Sequence, residues 1–236
     1  MKTIKVKDIR KEFKRLYTEN KFVSDKNGGK VIEIISASFV ADENHIFDTP
    51  NLDYIKREIE WYESMSLFVE DIPGNTPKIW KEVASKNGMI NSNYGWMIYS
   101  EKNFNQYGNV LRELIHNPSS RRATMIYNRP EMWLDYNRDG MSDFCCTYAH
   151  QYFIRSDNLD VYVTMRSNDA WAGYRNDFAW AKHVQEKLVK DYNYETGSSI
   201  KSGQIYWNVG SLHVYEKQFN LVEHFVKTGL SFIQKD

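Results

Sequence analysis

Two β-rich runs, CTYAHQYFIR (146–155) and LDVYVTMR (159–166), stand on either side of Ser156-Asp157-Asn158. Tyrosine, valine, isoleucine and threonine are common in both, so the spacing predicts an antiparallel hairpin with Asp157 and Asn158 in its turn. KVIEIISASFV (30–40) and QIYWNVGSLHVY (204–215) have the same β-branched and aromatic character, and RRATMIYN (121–128) adds a strand opened by two arginines. Strand pairing between these segments is the main constraint on the fold.

The intervening segments have helical periodicity. Ile9, Phe13, Leu16 and Tyr17 make an amphipathic first helix. Leu52, Ile55, Ile59 and Tyr62 fall on one face of a second, with Tyr54, Glu58 and Trp61 on the adjacent face. Thr76 as N-cap and Pro77 at the first position open a short helix bearing Ile79, Trp80 and Val83, with Gly88 as its stop. Tyr107, Val110, Leu111 and Leu114 mark a further helix ending before Pro118. Asn176 or Asp177 could cap one carrying Phe178, Val184 and Leu188, and Phe219, Val222, Phe225 and Val226 mark the last. No repeat or linker-like tract interrupts the chain. The expectation is one α+β domain over residues 1–236, a mixed β-sheet flanked by helices.

Composition narrows the function classes. At 236 residues, 42% of them hydrophobic, the chain can bury a core without metal or disulfide staples. Its 31 basic and 31 acidic side chains cancel, which argues against holding a nucleic-acid polymer through bulk charge. An anionic ligand would need locally placed cations. Cys145 and Cys146 are adjacent and badly placed to bridge each other. No apolar stretch approaches signal-peptide or membrane-span length, so the expectation is a soluble, reduced, cytoplasmic protein.

Several side chains can carry chemistry, each with a plainer alternative. Cys146 opens a strand after the polar turn NRDGMSD and can be either packing or a nucleophile. Its neighbour Cys145 points to the other face of an extended segment. A nearby cation would favour the attacking thiolate, and arginines of the SRR and RSND segments could supply it. Glu58 among aromatic residues is either a boundary carboxylate or, if buried, a group whose raised pKa suits proton transfer near neutrality.

Taken in order, NPSSRR (117–122), the Cys146 segment ending in Gln151, Arg166-Ser167-Asn168-Asp169, Gly173 and Leu212-His213-Val214-Tyr215 resemble the signatures of thymidylate synthases. Glu58-Ile59-Glu60-Trp61 is similar to that family's Glu-x-x-Trp helix. Within the family, IEIISASFVADE, DIPGNTPKIW, INSNYGW, NRDGMSDF and WNVGSLHVY most resemble the deoxycytidylate hydroxymethylases of T-even bacteriophages. Ala170-Trp171-Ala172 departs from that pattern.

The resemblance implies a thymidylate-synthase-like fold in which Cys146 adds to C6 of dCMP and C5 takes the methylene of 5,10-methylenetetrahydrofolate. Water then completes 5-hydroxymethyl-dCMP, with tetrahydrofolate released and no metal required. It implies that Glu58 and Tyr94 serve proton transfer. Arg121 and Arg122 would reach the phosphate across a homodimer interface, and Arg166 and Ser167 would hold it from within. Lys26 stands where a flexible-loop arginine is common. His213 and Tyr215 would bind the sugar, and Trp80, Asp169 and Gly173 the folate. No membrane or polymeric nucleic acid is implied as a partner, and a phage-encoded protein of this kind would work in the host cytoplasm.

Asp177 stands where thymidylate synthases carry an asparagine that reads uracil. Cytosine reverses the donor and acceptor at N3 and position 4, so an acidic side chain that accepts from N4 and shares a proton with N3 suits it. The alternative for Asp177 is a helix N-cap. Rival functions are a thymidylate synthase, a dUMP or CMP hydroxymethylase, and a noncatalytic nucleotide-binding or replication-complex protein.

Overall fold

The computed structural model describes residues 3–25 and 28–233. Its centre is a six-stranded mixed sheet of order β1-β2-β6-β5-β4-β3. The strands are β1 (Val23–Ser24), β2 (Lys30–Val40), β3 (Thr124–Ile126), β4 (Thr147–Arg155), β5 (Asn158–Asp169) and β6 (Lys201–Tyr215). All neighbours pair antiparallel except β5 and β6, which run parallel and are joined by a long helical crossover. The hairpin forms as the sequence predicts, shifted by one residue: Ser156 and Asp157 adopt positive φ in the turn, and Asn158 already pairs with Arg155.

Eight α-helices accompany the sheet among the described residues: α1 (Val6–Thr18), α2 (Leu52–Ser64), α3 (Lys78–Val83), α4 (Tyr94–Tyr99), α5 (Gln106–His116), α6 (Met132–Asp135), α7 (Ala172–Thr196) and α8 (Phe219–Thr228). α7 is the crossover and packs on β5 and β6, while α1 packs on β2. Trp61, Trp180, Trp207, Tyr127, Tyr152 and Tyr174 are among the largest side chains wholly removed from water. Arg10 is buried with them and bonds the carbonyls of His45 and Ile46 and the carboxylate of Glu43. That clamp holds the loop leading to Asn51, whose side chain caps α2.

Three sequence expectations change. α7 starts at Ala172, so Asn176 and Asp177 lie inside it and cap nothing. The start is set by Asp169, whose carboxylate accepts from the backbone N–H groups of Trp171 and Ala172. In α3, Pro77 is the N-cap and Thr76 instead donates to the Val69 carbonyl; the helix ends at Val83, before Gly88. On α2 the buried residues are Glu58, Trp61 and Tyr62, while Leu52 is 71% exposed. Packing against α4 and α7 buries the C-terminal half of the predicted stripe, Tyr62 with Ile59 partly covered, together with the adjacent Glu58 and Trp61, and leaves its N-terminal end in solvent.

The strands are bent where they carry the candidate residues. Ser36 in β2 takes a left-handed conformation between the pairs Ile35–Ser211 and Ala37–Val209. Beside it, a Cβ on Gly210 would stand 2.8 Å from the Arg166 carbonyl oxygen, and the β4–β5 register slips between Thr147 and Ala149. Such irregularities turn strand ends and redirect side chains.

The other face of the sheet is open. Ile35, Ile126, Tyr148, Tyr162 and Tyr206, from five strands, are all exposed, with Ile35 68% accessible. No helix among the described residues is long and apolar enough to cross a membrane.

Candidate active site

Cys146 immediately precedes β4. Its thiol is half-buried, whereas Cys145 is fully buried and its sulfur donates to the Thr147 carbonyl. Alternation along an extended segment separates the two as the sequence predicts. Arg166 on β5 bonds the carbonyls of Phe144 (2.6 Å) and Cys145 (3.0 Å), and its Nη2 lies 3.4 Å from the Cys146 sulfur. Burial pushes the thiol up to about 11; the guanidinium opposes that and the nearby Asp177 carboxylate reinforces it.

Asp177 projects from the second turn of α7. Its Oδ2 accepts from Asn168 Nδ2 at 2.7 Å. Burial raises its pKa to about 8, the charge of Glu58 adds to the rise, and the bonds from Asn168 and Tyr94 oppose it. A carboxyl so placed stays largely neutral at pH 7 and can both donate and accept.

Glu58 is 5% exposed, and its Oε1 accepts from the Tyr54 hydroxyl at 2.5 Å. Trp80 Nε1 donates to that hydroxyl at 2.8 Å, tying α3 to α2. Burial pushes Glu58 up to about 7 against the pull of these hydrogen bonds. Glu58, Tyr54 and Trp61 thus share a helical face as the spacing predicts, with Trp61 donating to the Phe68 carbonyl.

Tyr94 opens α4 and is buried, its hydroxyl accepting from Thr147 Oγ1 at 2.9 Å. Asp177, Cys145 and Cys146 all raise its pKa beyond the effect of burial. α4 approaches α2 closely: a Cβ on Gly95 would fall 1.7 Å from the Tyr62 carbonyl oxygen, so only glycine fits there. Cys146, Asp177, Glu58 and Tyr94 therefore converge from four separate elements.

The remaining candidates divide. His213 is buried at the end of β6, packed edge-on against Tyr215 at 4.8 Å, and pairs with Asp169 across β5. Ser167 lies opposite Ser211. Trp80 is on the Glu58 side. Gly173 packs against Asn168, Asp169 and Asp177, which puts it beside the Asp177 carboxyl. Lys26 lies outside the described residues.

Arg121 and Arg122 do not join the cluster within one chain. Arg122 pairs with Glu113, and the Arg121 carbonyl accepts from Gln151, five residues along β4 from Cys146. At strand rise Gln151 stands about 16 Å along the backbone from Cys146.

Four further residues support the site. Tyr54 tunes Glu58, Asn168 binds Asp177, and Trp207 Nε1 donates to Asn168 Oδ1 at 3.3 Å. Buried Asp143 accepts from both backbone and hydroxyl of Ser92 and from the Asn91 N–H, fastening the Cys146 segment to the turn before Tyr94. Of these only Tyr54 was recognisable, as the i−4 neighbour of Glu58. Trp171 and Arg175 explain the unusual Ala170-Trp171-Ala172 stretch: both bond Asp48, and the guanidinium lies 5.0 Å from the indole centroid. The segment thereby anchors the loop before α2.

This constellation can be compared with known proteins. The thymidylate synthase family model matches residues 20–230. Deoxycytidylate 5-hydroxymethyltransferase of Enterobacteria phage T4 is 57% identical over 231 residues, covering 98% of this chain and 94% of that protein; its phage T2 counterpart is 56% identical over the same span. Thymidylate synthase of Bacillus atrophaeus is 28% identical over 173 residues, 70% of each chain. The solved structure of thermostable thymidylate synthase A from Bacillus subtilis superposes with a TM-score of 0.68 at 20% identity, covering 95% of this chain and 84% of that one, a likeness of fold. The half-buried thiol with its arginine, the two raised carboxyls and the sheet that gathers them thus stand in a chain that belongs to the thymidylate synthase family.

Proposed function

We propose that the protein is a dCMP 5-hydroxymethyltransferase. The observation that carries this is Asp177, a carboxyl held neutral near pH 7 within the same cluster as Cys146. A neutral carboxyl can donate to N3 of cytosine and accept from its N4 amine, whereas uracil presents the opposite pattern. A mismatched pair would leave buried polar groups unsatisfied at roughly 1–3 kcal/mol each.

Cys146 gives up its thiol proton to solvent, with Arg166 stabilising the thiolate, and adds to C6, making C5 nucleophilic; C5 takes the methylene of the folate, loses its proton as tetrahydrofolate departs, and water adds to the exocyclic methylene as the Cys146–C6 bond breaks and the thiolate is released. Arg166 and Ser167 hold the phosphate from within, and His213 and Tyr215 receive the sugar hydroxyl. Glu58, able to exchange a proton near pH 7, assists proton transfer at the pyrimidine, with Tyr94 in the same network.

The co-substrate is 5,10-methylenetetrahydrofolate, which supplies a one-carbon unit at the oxidation level of formaldehyde. The residues present fit it: Trp80 and the 59%-exposed Ile79 offer apolar surface, and Asp169 retains acceptor capacity beyond its two backbone bonds. Trp80, Asp169 and Gly173 would hold it.

A homodimer joined through the open sheet face accounts for the exposed Ile35, Tyr162 and Tyr206, and for arginines that lie away from the thiol of their own chain. Arg121 and Arg122 then serve the partner's phosphate site.

The test is the product. Incubation with dCMP and methylenetetrahydrofolate is expected to give 5-hydroxymethyl-dCMP and tetrahydrofolate by mass spectrometry. Methylation with appearance of dihydrofolate would overturn the hydroxymethylase assignment. Asp177→Asn is expected to move preference toward dUMP.

A further inference from the structure

Asp177 can read cytosine only if its proton sits on the correct oxygen. A neutral carboxyl has two arrangements, with the hydrogen on either oxygen, and cytosine and uracil each match one of them. Burial makes the group neutral but does not choose between them. The choice falls to whatever else touches the carboxyl.

Two groups make that contact, the Tyr94 hydroxyl, which can donate or accept, and Asn168, whose N–H can only donate. Asn168 is 3% exposed, at the end of β5, and its Nδ2 donates to Asp177 Oδ2 at 2.7 Å. The direction is fixed from behind. Trp207 Nε1, which can only donate, meets Asn168 Oδ1 at 3.3 Å, so the amide oxygen faces the indole and the NH2 faces the carboxyl. Trp207 is wholly buried and cannot turn away. Gly173 leaves the room: a Cβ there would lie 3.1 Å from Asn168 Nδ2 and 3.7 Å from Asp177 Oδ2.

We propose that Asn168 is a specificity-determining positioning residue, which makes Oδ2 of Asp177 the accepting oxygen and confines the proton to Oδ1. The arrangement with hydrogen on Oδ2 would turn a good acceptor into a poor one in front of a buried N–H and leave that donor unsatisfied. With Oδ1–H toward N3 and Oδ2 toward the N4 amine, cytosine makes both bonds, Oδ2 using one lone pair for Asn168 and one for the amine. Uracil would set N3–H against Oδ1–H and O4 against Oδ2. The pair Asn168–Trp207 therefore rejects dUMP without touching it. This rests on Asp177 being the base reader.

The other groups bearing on Asp177 are Glu58 and Tyr62 from α2, Tyr94 from α4, Cys146 before β4 and Asp169 from β5. Tyr94 also hydrogen-bonds the carboxyl, but a hydroxyl can donate or accept and so fits either placement of the proton, whereas the Asn168 N–H can only donate. Because the Asn168 bond favours the ionised form, its removal moves the Asp177 titration upward.

The experiment compares wild type with Asn168→Ala, Gly173→Ala and Trp207→Phe. kcat/KM for dCMP and dUMP is measured against pH, and the Asp177 carboxyl band is titrated by infrared difference spectroscopy without substrate. Asn168→Ala is expected to lower the dCMP preference about tenfold, the worth of one buried hydrogen bond. It should also shift the high-pH decline in dCMP turnover, and the infrared titration, to higher pH. Gly173→Ala and Trp207→Phe should lower selectivity in the same direction by smaller factors.

A parallel loss of dCMP and dUMP turnover with an unmoved titration would mean a merely structural role and would overturn the proposal. So would unchanged selectivity in a folded Asn168→Ala protein. If Asn168→Ala does not fold, Gly173→Ala and Trp207→Phe decide the matter by the same criteria. Failure of the enzyme assignment looks different, since wild type would then make no hydroxymethyl product while the infrared shift still reports the Asn168–Asp177 contact. A missing infrared shift sinks the positioning role whatever the activity.

Discussion

Nη2 of Arg166 lies 3.4 Å from the Cys146 sulfur while the same nitrogen is held 2.6 Å from the Phe144 carbonyl oxygen. The guanidinium is therefore tethered beside the thiol by the segment that carries it. In the free protein burial still dominates, and the thiol titrates near 11. Alkylation by iodoacetamide is expected to be slow at pH 7 and to rise through pH 9 and above. Arg166→Ala should suppress it further by withdrawing the one opposing charge. Cys145, fully buried and raised still more strongly, should remain unmodified in the native protein. Peptide mapping of the alkylated protein checks this, and label on Cys145 in preference to Cys146 would overturn it.

The raised Glu58 carboxyl has a consequence for stability. The folded protein keeps its proton up to about pH 7, while the unfolded chain releases it near 4.5. Folding is thus increasingly penalised as pH rises through that window, and the penalty is complete above it. Glu58→Gln removes the charge and keeps an acceptor for Tyr54, so it should stabilise the fold at pH 8 by about 1–3 kcal/mol. At pH 4 the difference should nearly vanish. Thermal melts at the two pH values test this, and a gap that does not grow with pH counts against a buried, raised carboxyl.

Tyr54 acts on the same carboxyl from one helical turn away. Its hydroxyl favours the ionised form, so Tyr54→Phe should push the Glu58 titration above 7. Where ionised Glu58 accepts a proton, the acid limb of the kcat profile moves to higher pH, and turnover at pH 7 falls about three- to tenfold. Trp80→Phe, which removes the donor to Tyr54, should produce a smaller shift in the same direction. An acid limb unmoved by both changes would separate Tyr54 from the proton-transfer network.

How much of this was legible in the sequence depends on whether a feature is local. β2 was bounded correctly at Lys30 and Val40, because β-branched runs and the glycines before them are local signals. The opposite facing of Cys145 and Cys146 followed from strand alternation, and the Tyr54–Glu58 contact from helical spacing. The Asn168–Trp207 contact was not legible, although both residues lie in segments the resemblance picks out, because it depends on the β5–β6 pairing and the crossover helix between them. Asp177 looked like a cap since short acidic residues favour helix starts; the actual start was set by Asp169, three residues before Ala172. The raised pKa of Glu58 was legible only as a condition on burial, and periodicity alone does not decide whether the face beside the apolar stripe of α2 is covered.

Arg121 and Arg122 supply the last prediction. Arg121 holds Gln151 through its backbone, and Arg122 pairs with Glu113, so neither side chain contacts Cys146 or Arg166 in its own chain. In a symmetric dimer a protomer carrying Cys146→Ala can still lend both arginines to a partner, and a protomer carrying Arg121→Ala and Arg122→Ala can still provide its thiol. Each homodimer should be impaired, the first by loss of the nucleophile and the second by a raised KM for dCMP. Unfolding and refolding the two together in equal amounts forms heterodimers in which one site has both defects and the other has none. Statistical assortment then restores about a quarter of wild-type sites. Turnover measured at low dCMP before and after mixing reads this directly. If the arginines served their own chain, every heterodimer site would lack either a thiol or its arginines, and mixing would restore nothing.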